Sequence, residues 1–173
     1  MRIRPSLPLW AACVALLLSI GPALAADTKA PTQRKGSGLP IPRFATLKSD
    51  EVNVRTGPGS RYPIDWVFKR KGMPVEIVAE YENFRKIRDW QGASGWVYQG
   101  LLTGKRSFII PSKVANLYKT PATSAEVIAK LEPEVMGEIR SCQGDWCRVK
   151  VSSVTGWLQR TEIWGVYKSE PVN

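Results

Sequence analysis

The side chains that most often carry out catalysis are unevenly supplied in this chain of 173 residues, which has three cysteines and no histidine. Without an imidazole there is no Ser-His or Cys-His nucleophile pair and no histidine-bearing zinc site. A pair of carboxylates can still cut a glycosidic bond when a cleft raises the pKa of one of them. Glu76, Glu80 and Glu82 are acids of this kind, but they lie in or beside one strand and its hairpin. The stretch VRTGPG, Val54 to Gly59, has the glycines of a phosphate loop, yet no GxxxxGK[ST] occurs and no helical period follows it. The chain is therefore expected to be non-catalytic, with no metal and no cofactor.

Binding chemistry is better represented. Arg55, Arg61, Tyr62, Trp66, Phe84, Trp90 and Tyr98 gather aromatic rings and guanidinium groups in one half of the chain, with Lys69, Arg70 and Lys71 close by. Aromatic faces suit the apolar faces of sugar rings and peptide side chains, and arginine forks hold carboxylates at two points. Residues 43–106 carry 12 basic and 7 acidic residues (+5), against 8 and 7 (+1) in 107–173. The first half is thus the expected ligand binder and the second the expected scaffold. The competing reading is that several of these aromatics fill a small core and that Lys69-Arg70-Lys71 is a solvated loop.

The elements that must position these groups are short strands. The strand signals are alternation in EVNVR, the apolar pair in PVEIVAEY, then FRKIRDW and GWVYQGLL, with turn residues separating them every eight to twelve positions. Val52 and Val54 are expected in a core, with Asn53 and Arg55 on the other face. In TGPG, Gly57 and Gly59 tolerate positive φ and Pro58 suits a turn, so the chain reverses there. The pattern also repeats: Asn53 falls on Asn116, Val54 on Leu117, Ile77 on Ile139, Phe84 on Trp146, Ile87 on Val149, and Gly95-Trp96-Val97 on Gly156-Trp157-Leu158. Two copies of about sixty residues imply two successive small domains. Trp96 and Trp157 read as barrel residues capping the core. Phe108, Ile109 and Ile110 make the connection too apolar for a free linker, and predict a strand or an interface that stiffens the pair.

Export is indicated at the start of the chain. Arg2 and Arg4 precede an apolar run from Leu9 to Ile20 and then Ala23-Leu24-Ala25, the layout of a signal peptide cut between Ala25 and Ala26. The run is shorter than the roughly twenty residues of a membrane span. Cleavage would remove two of 25 basic residues, Cys13 and no acid, leaving 23 against 15, or +8. Outside the inner membrane the polyanions within reach are stem-peptide carboxylates, lipid phosphates and acidic glycans, so no nucleic acid is expected as partner. Residues 26–42 have almost nothing to bury and read as a disordered tether with a reach of roughly 20 to 25 Å. The remaining Cys142 and Cys147 flank a predicted hairpin tip, Gln143-Gly144-Asp145, and are expected to form a disulfide in an oxidising compartment.

With VNVRTGPG opening the first repeat, GWV and GWL near the end of each, CQGDWC in the second and WGVY at Trp164 to Tyr167, the chain resembles the bacterial SH3 (SH3b) family, and within it the exported two-repeat proteins of alphaproteobacteria. The resemblance implies an all-β chain of two tandem small SH3-like barrels, 43–106 and 107–173, each with five or six strands. It further implies a non-catalytic role binding peptidoglycan or an envelope-associated peptide in the periplasm, with an envelope interaction adaptor as the alternative. Phe84 and Trp146 resemble the tryptophan that borders the peptide groove of eukaryotic SH3 domains. The tyrosine expected near the last turn is replaced by Leu101 and Glu162, a departure from proline-rich peptide binding.

Overall fold

A computed structural model describes residues 36–173. The signal-peptide reading of 1–25, its cleavage at Ala25 and Ala26, and the tether up to residue 35 lie outside the described residues. Among the described residues, thirteen strands form two antiparallel sheets. The first is built from β1 (Arg43–Leu47), β2 (Val52–Arg55), β3 (Ile64–Phe68), β4 (Pro74–Tyr81), β5 (Phe84–Arg88), β6 (Ser94–Tyr98) and β7 (Leu102–Thr103), in the order β3-β2-β6-β5-β4-β1-β7. The second contains β8 (Ser107–Ile109), β9 (Ala115–Tyr118), β10 (Val127–Leu131), β11 (Met136–Gln143), β12 (Trp146–Val151) and β13 (Val154–Gln159), in the order β10-β9-β13-β12-β11-β8. A single 3-10 turn follows the last long strand of each, Gln99–Leu101 and Arg160–Glu162.

The two sheets are the same sheet twice. β1 corresponds to β8, β2 to β9, and so on to β6 and β13, and the place of β7 is taken in the second copy by an isolated bridge between Ile109 and Trp164. The first copy has seven strands, more than the five or six expected, because the two-residue β7 adds a rung beside β1. Of the strand or interface predicted for Phe108-Ile109-Ile110, a strand is found: β8 holds Phe108 and Ile109, Ile110 follows it, and all three are fully buried.

Period-two alternation decides what β2, β5, β6 and β9 bury. Val52 and Val54 face inward while Asn53 and Arg55 do not, and Val75, Ile77, Ile87 and Val97 complete the first core. Leu117, Ile139, Val149 and Leu158, at matching positions, stand in the second. Cys142 and Cys147 face each other across the β11–β12 hairpin and are disulfide bonded. No helix among the described residues is long and apolar enough to cross a membrane.

A return of the chain ties the repeats together. Phe44 of β1 packs on Trp164 (ring centroids 4.9 Å) and on Tyr167 (4.7 Å), with the Arg106 guanidinium 5.7 Å from its ring. The Tyr167 hydroxyl donates to Glu76 Oε1 at 2.7 Å. Arg106 also holds the Glu170 carboxylate and the Gly165 carbonyl. The WGVY stretch, which read as a closing signature of the second repeat, is therefore also packing for the first.

Candidate functional site

The face of the first sheet turned away from its core is where aromatic and basic side chains meet. On β6, Gly95 and Val97 point inward, so Ser94, Trp96 and Tyr98 point outward. Trp96 sits opposite Lys86 of β5 and opposite Arg55 of β2, and Tyr98 sits opposite Phe84. The Phe84 and Tyr98 rings are edge to face at 5.9 Å, and Tyr98 is 48% exposed. The result is a row of half-exposed rings with cationic side chains on either flank.

The second sheet repeats the arrangement. Trp157 sits opposite Tyr118 and Arg148, and Trp146 opposite Gln159. Tyr118 and Trp146 are edge to face with centroids 5.4 Å apart. Trp96 and Trp157 thus correct the expectation that they cap the cores. The glycine before each tryptophan is the inward residue, because β2 or β9 presses against it. A Cβ on Gly95 would lie 2.4 Å from Val54 Cγ1, and one on Gly156 would lie 2.8 Å from the Tyr118 carbonyl oxygen. Once glycine is fixed on the inner face, alternation sends the tryptophan outward.

The structure divides the other residues singled out in the sequence. Arg55 borders the outer face, and its guanidinium donates to the Ser60 and Tyr62 carbonyls at 3.1 and 2.7 Å, which closes the loop after β2. Within that loop the Tyr62 ring lies over Gly57, where a Cβ would stand 2.3 Å from Cδ1, and the Arg61 guanidinium is 5.3 Å from the ring centroid. Neither Gly57 nor Gly59 adopts positive φ. This corrects the turn argument: Gly57 is there to make room for a ring, not to reach a left-handed conformation. Trp66 and Trp90 are not brought to the outer face but pack partly buried against the first core, with Trp66 edge to face with Phe68 at 6.0 Å. Leu101 and Glu162, which the resemblance put near the last turn of each repeat, occupy the two 3-10 turns.

The acidic set is tied into the framework. Glu80 is gripped by Arg43 at 2.5 Å and Arg85 at 3.1 Å, and accepts the Ser37 hydroxyl at 2.7 Å. Burial pushes its pKa up, but the hydrogen bonds from Ser37 and Arg43 outweigh that and lower it to about 2. The same contact fixes Ser37, so the end of the expected tether is attached to the first sheet. Glu76 is buried and accepts from Arg88 as well as Tyr167. Among the described residues no three of His, Cys, Asp and Glu come together as a metal ligand set.

Residues 48–104 and 112–165 each match the family described as Bacterial SH3 domain. The chain belongs to the bacterial SH3 domain family. Its curated relatives include a Bacillus subtilis (strain 168) protein named "Putative N-acetylmuramoyl-L-alanine amidase YrvJ", 29% identical over 125 residues. That alignment takes in 66% of this SH3 chain but 24% of YrvJ, so the chain spans about a quarter of the length of this relative. Among solved structures, NlpC2 from Trichomonas vaginalis is 13% identical with a TM-score of 0.35, covering 75% of this chain and 50% of that one. An NlpC/P60 family protein from Bacillus cereus ATCC 10987 is 15% identical with a TM-score of 0.32, covering 70% and 55%. The two matched stretches take in every strand of the sheets except β1 and β8, and each contains one of the outward tryptophans.

Proposed function

We propose that this tandem bacterial SH3 chain is an exported, periplasmic, non-catalytic protein that binds peptidoglycan through the outer faces of its sheets. The observation that carries the reading is an outward tryptophan with cationic neighbours in each sheet: Trp96 opposite Lys86 and Arg55, and Trp157 opposite Arg148 and Tyr118. Peptidoglycan offers what such a face can hold, sugar rings with apolar faces next to stem-peptide carboxylates. Family membership and a curated relative named as an N-acetylmuramoyl-L-alanine amidase support the same ligand class. The share of that relative matched by this chain, 24%, is consistent with a binding part rather than the whole of an enzyme.

The test is sedimentation with purified sacculi at low salt. The wild-type chain is expected to pellet, and the double variant W96A/W157A to lose roughly 30-fold in affinity, the size of about 2 kcal/mol for aromatic anchors. Absence of pelleting by the wild type, or equal pelleting by the variant, refutes the proposal. Loss of binding on raising salt would assign the larger share to charge, and persistence would assign it to the rings.

A further inference from the structure

A second place on the molecule is built for a ligand and is separate from both outer faces. Where the repeats meet, a cleft of about 480 Å³ opens between β1, the turn before β4, the connection into β8, and the start of β11. This is the size of a small-molecule or short-peptide site. Its floor is apolar and fixed: Leu47 is buried, Met136 packs against the first core, and the buried Thr46 hydroxyl is 2.6 Å from the Ser107 hydroxyl. One rim is held by Arg70, which donates to the Glu134 carbonyl at 2.8 Å and bridges the two repeats.

The charge around this cleft is one-sided. Lys48, Lys71 and Lys105 line it, all exposed, and none of the three forms an ion pair among the described residues. Arg106 also lines it but is taken by Glu170, and Glu138, the acid in the lining, is neutralised by Arg140 at 2.6 Å. Three ammonium groups without partners therefore surround an apolar floor supplied by both repeats. Two other lysines of the described residues do pair with acids, Lys69 with Glu51 and Lys119 with Glu126.

The geometry points to a binding site for a short peptide rich in carboxylates, seated in the cleft with its acidic groups on Lys48, Lys71 and Lys105 and its aliphatic parts on Met136. Ammonium groups are point charges without a fork, so the site selects total negative charge and spacing more than planar geometry. The inference does not depend on the outer faces binding peptidoglycan, and the two can fail separately.

The probe is a fluorescently labelled triglutamate peptide titrated into the full chain at low salt, with triglutamine as the neutral control. Triglutamate is expected to bind at least tenfold tighter than triglutamine. Replacing all three lysines (K48Q/K71Q/K105Q) should weaken triglutamate about tenfold, in line with three exposed charge contacts, while the melting temperature stays unchanged because all three side chains are exposed. W96A/W157A should bind the peptide as the wild type does. Equal binding of triglutamine, no effect of the lysine substitutions, or loss in W96A/W157A overturns the assignment. Displacement of the peptide by inorganic phosphate at lower concentration than by glutarate overturns the carboxylate class.

Discussion

Replacing Gly156 by alanine should damage the second repeat and its outer face together. A Cβ there would meet the Tyr118 carbonyl oxygen at 2.8 Å, Leu117 Cγ at 2.7 Å and Ile128 Cδ1 at 3.0 Å. Ordinary contact begins near 3.4 Å, so the β9 backbone must retreat by about 0.6 Å, and Leu117, fully buried, has nowhere to move. Overpacking of one methyl in a closed core costs about 1 to 3 kcal/mol. The upper part of that range is expected, because a carbonyl oxygen cannot turn aside as a side-chain tip can. The assay is urea denaturation followed by tryptophan fluorescence, reading the midpoint at constant slope. Tyr118 is opposite Trp157, so any sacculus binding through this face should weaken in the same variant. A change in stability below about 0.5 kcal/mol would refute the claim that the glycine exists to admit β9, and with it the account of why the tryptophan faces outward.

Two further outcomes follow from the framework around the sites. Because the Glu80 pKa is lowered to about 2 from an ordinary value of 4.5, its contribution is complete above about pH 4.5 and is lost as pH falls toward 2. Wild type should therefore melt above Glu80→Gln at pH 7, the gap narrowing in scanning calorimetry below pH 4.5 and closing near pH 2; a constant gap would contradict the assignment. Removing the disulfide as C142S/C147S should cost at most roughly 2 kcal/mol, since the closed loop is short, and leave a folded chain; global unfolding by circular dichroism would show that the bridge decides folding.

Much of this architecture was legible in the residues because its signals are local. Alternation in VNVR places Val52 and Val54 inside, and the match of Ile87 with Val149 and of Val97 with Leu158 marks two cores in the sequence itself. The hairpin between Cys142 and Cys147 was equally local, its turn lying between two positions that pair in register. The candidate site was less legible. Trp66, Trp90 and Trp96 are all aromatic residues in or near strands, and composition does not say which of them faces out; only the steric demand on Gly95, imposed from β2, does that. The partnership of Phe44 with Trp164 and Tyr167 spans about 120 residues, beyond the reach of periodicity. Nor could spacing disclose a cleft whose lysines come from positions 48, 71 and 105.

The return of Trp164 and Tyr167 onto Phe44 also sets an order of events during synthesis. The first sheet can form its ladders as soon as residue 103 is available, but the ring of Phe44 stays uncovered until residues 164 to 167 have been made. A nascent or nicked chain ending before that point would present an apolar ring beside the buried Glu76, whose tyrosine donor would also be missing. Maturation of the first repeat is thus timed by the second. The two repeats thus differ in what they can complete alone: the first draws its own sheet, but the cover of Phe44 and the donor to Glu76 come from beyond Glu162.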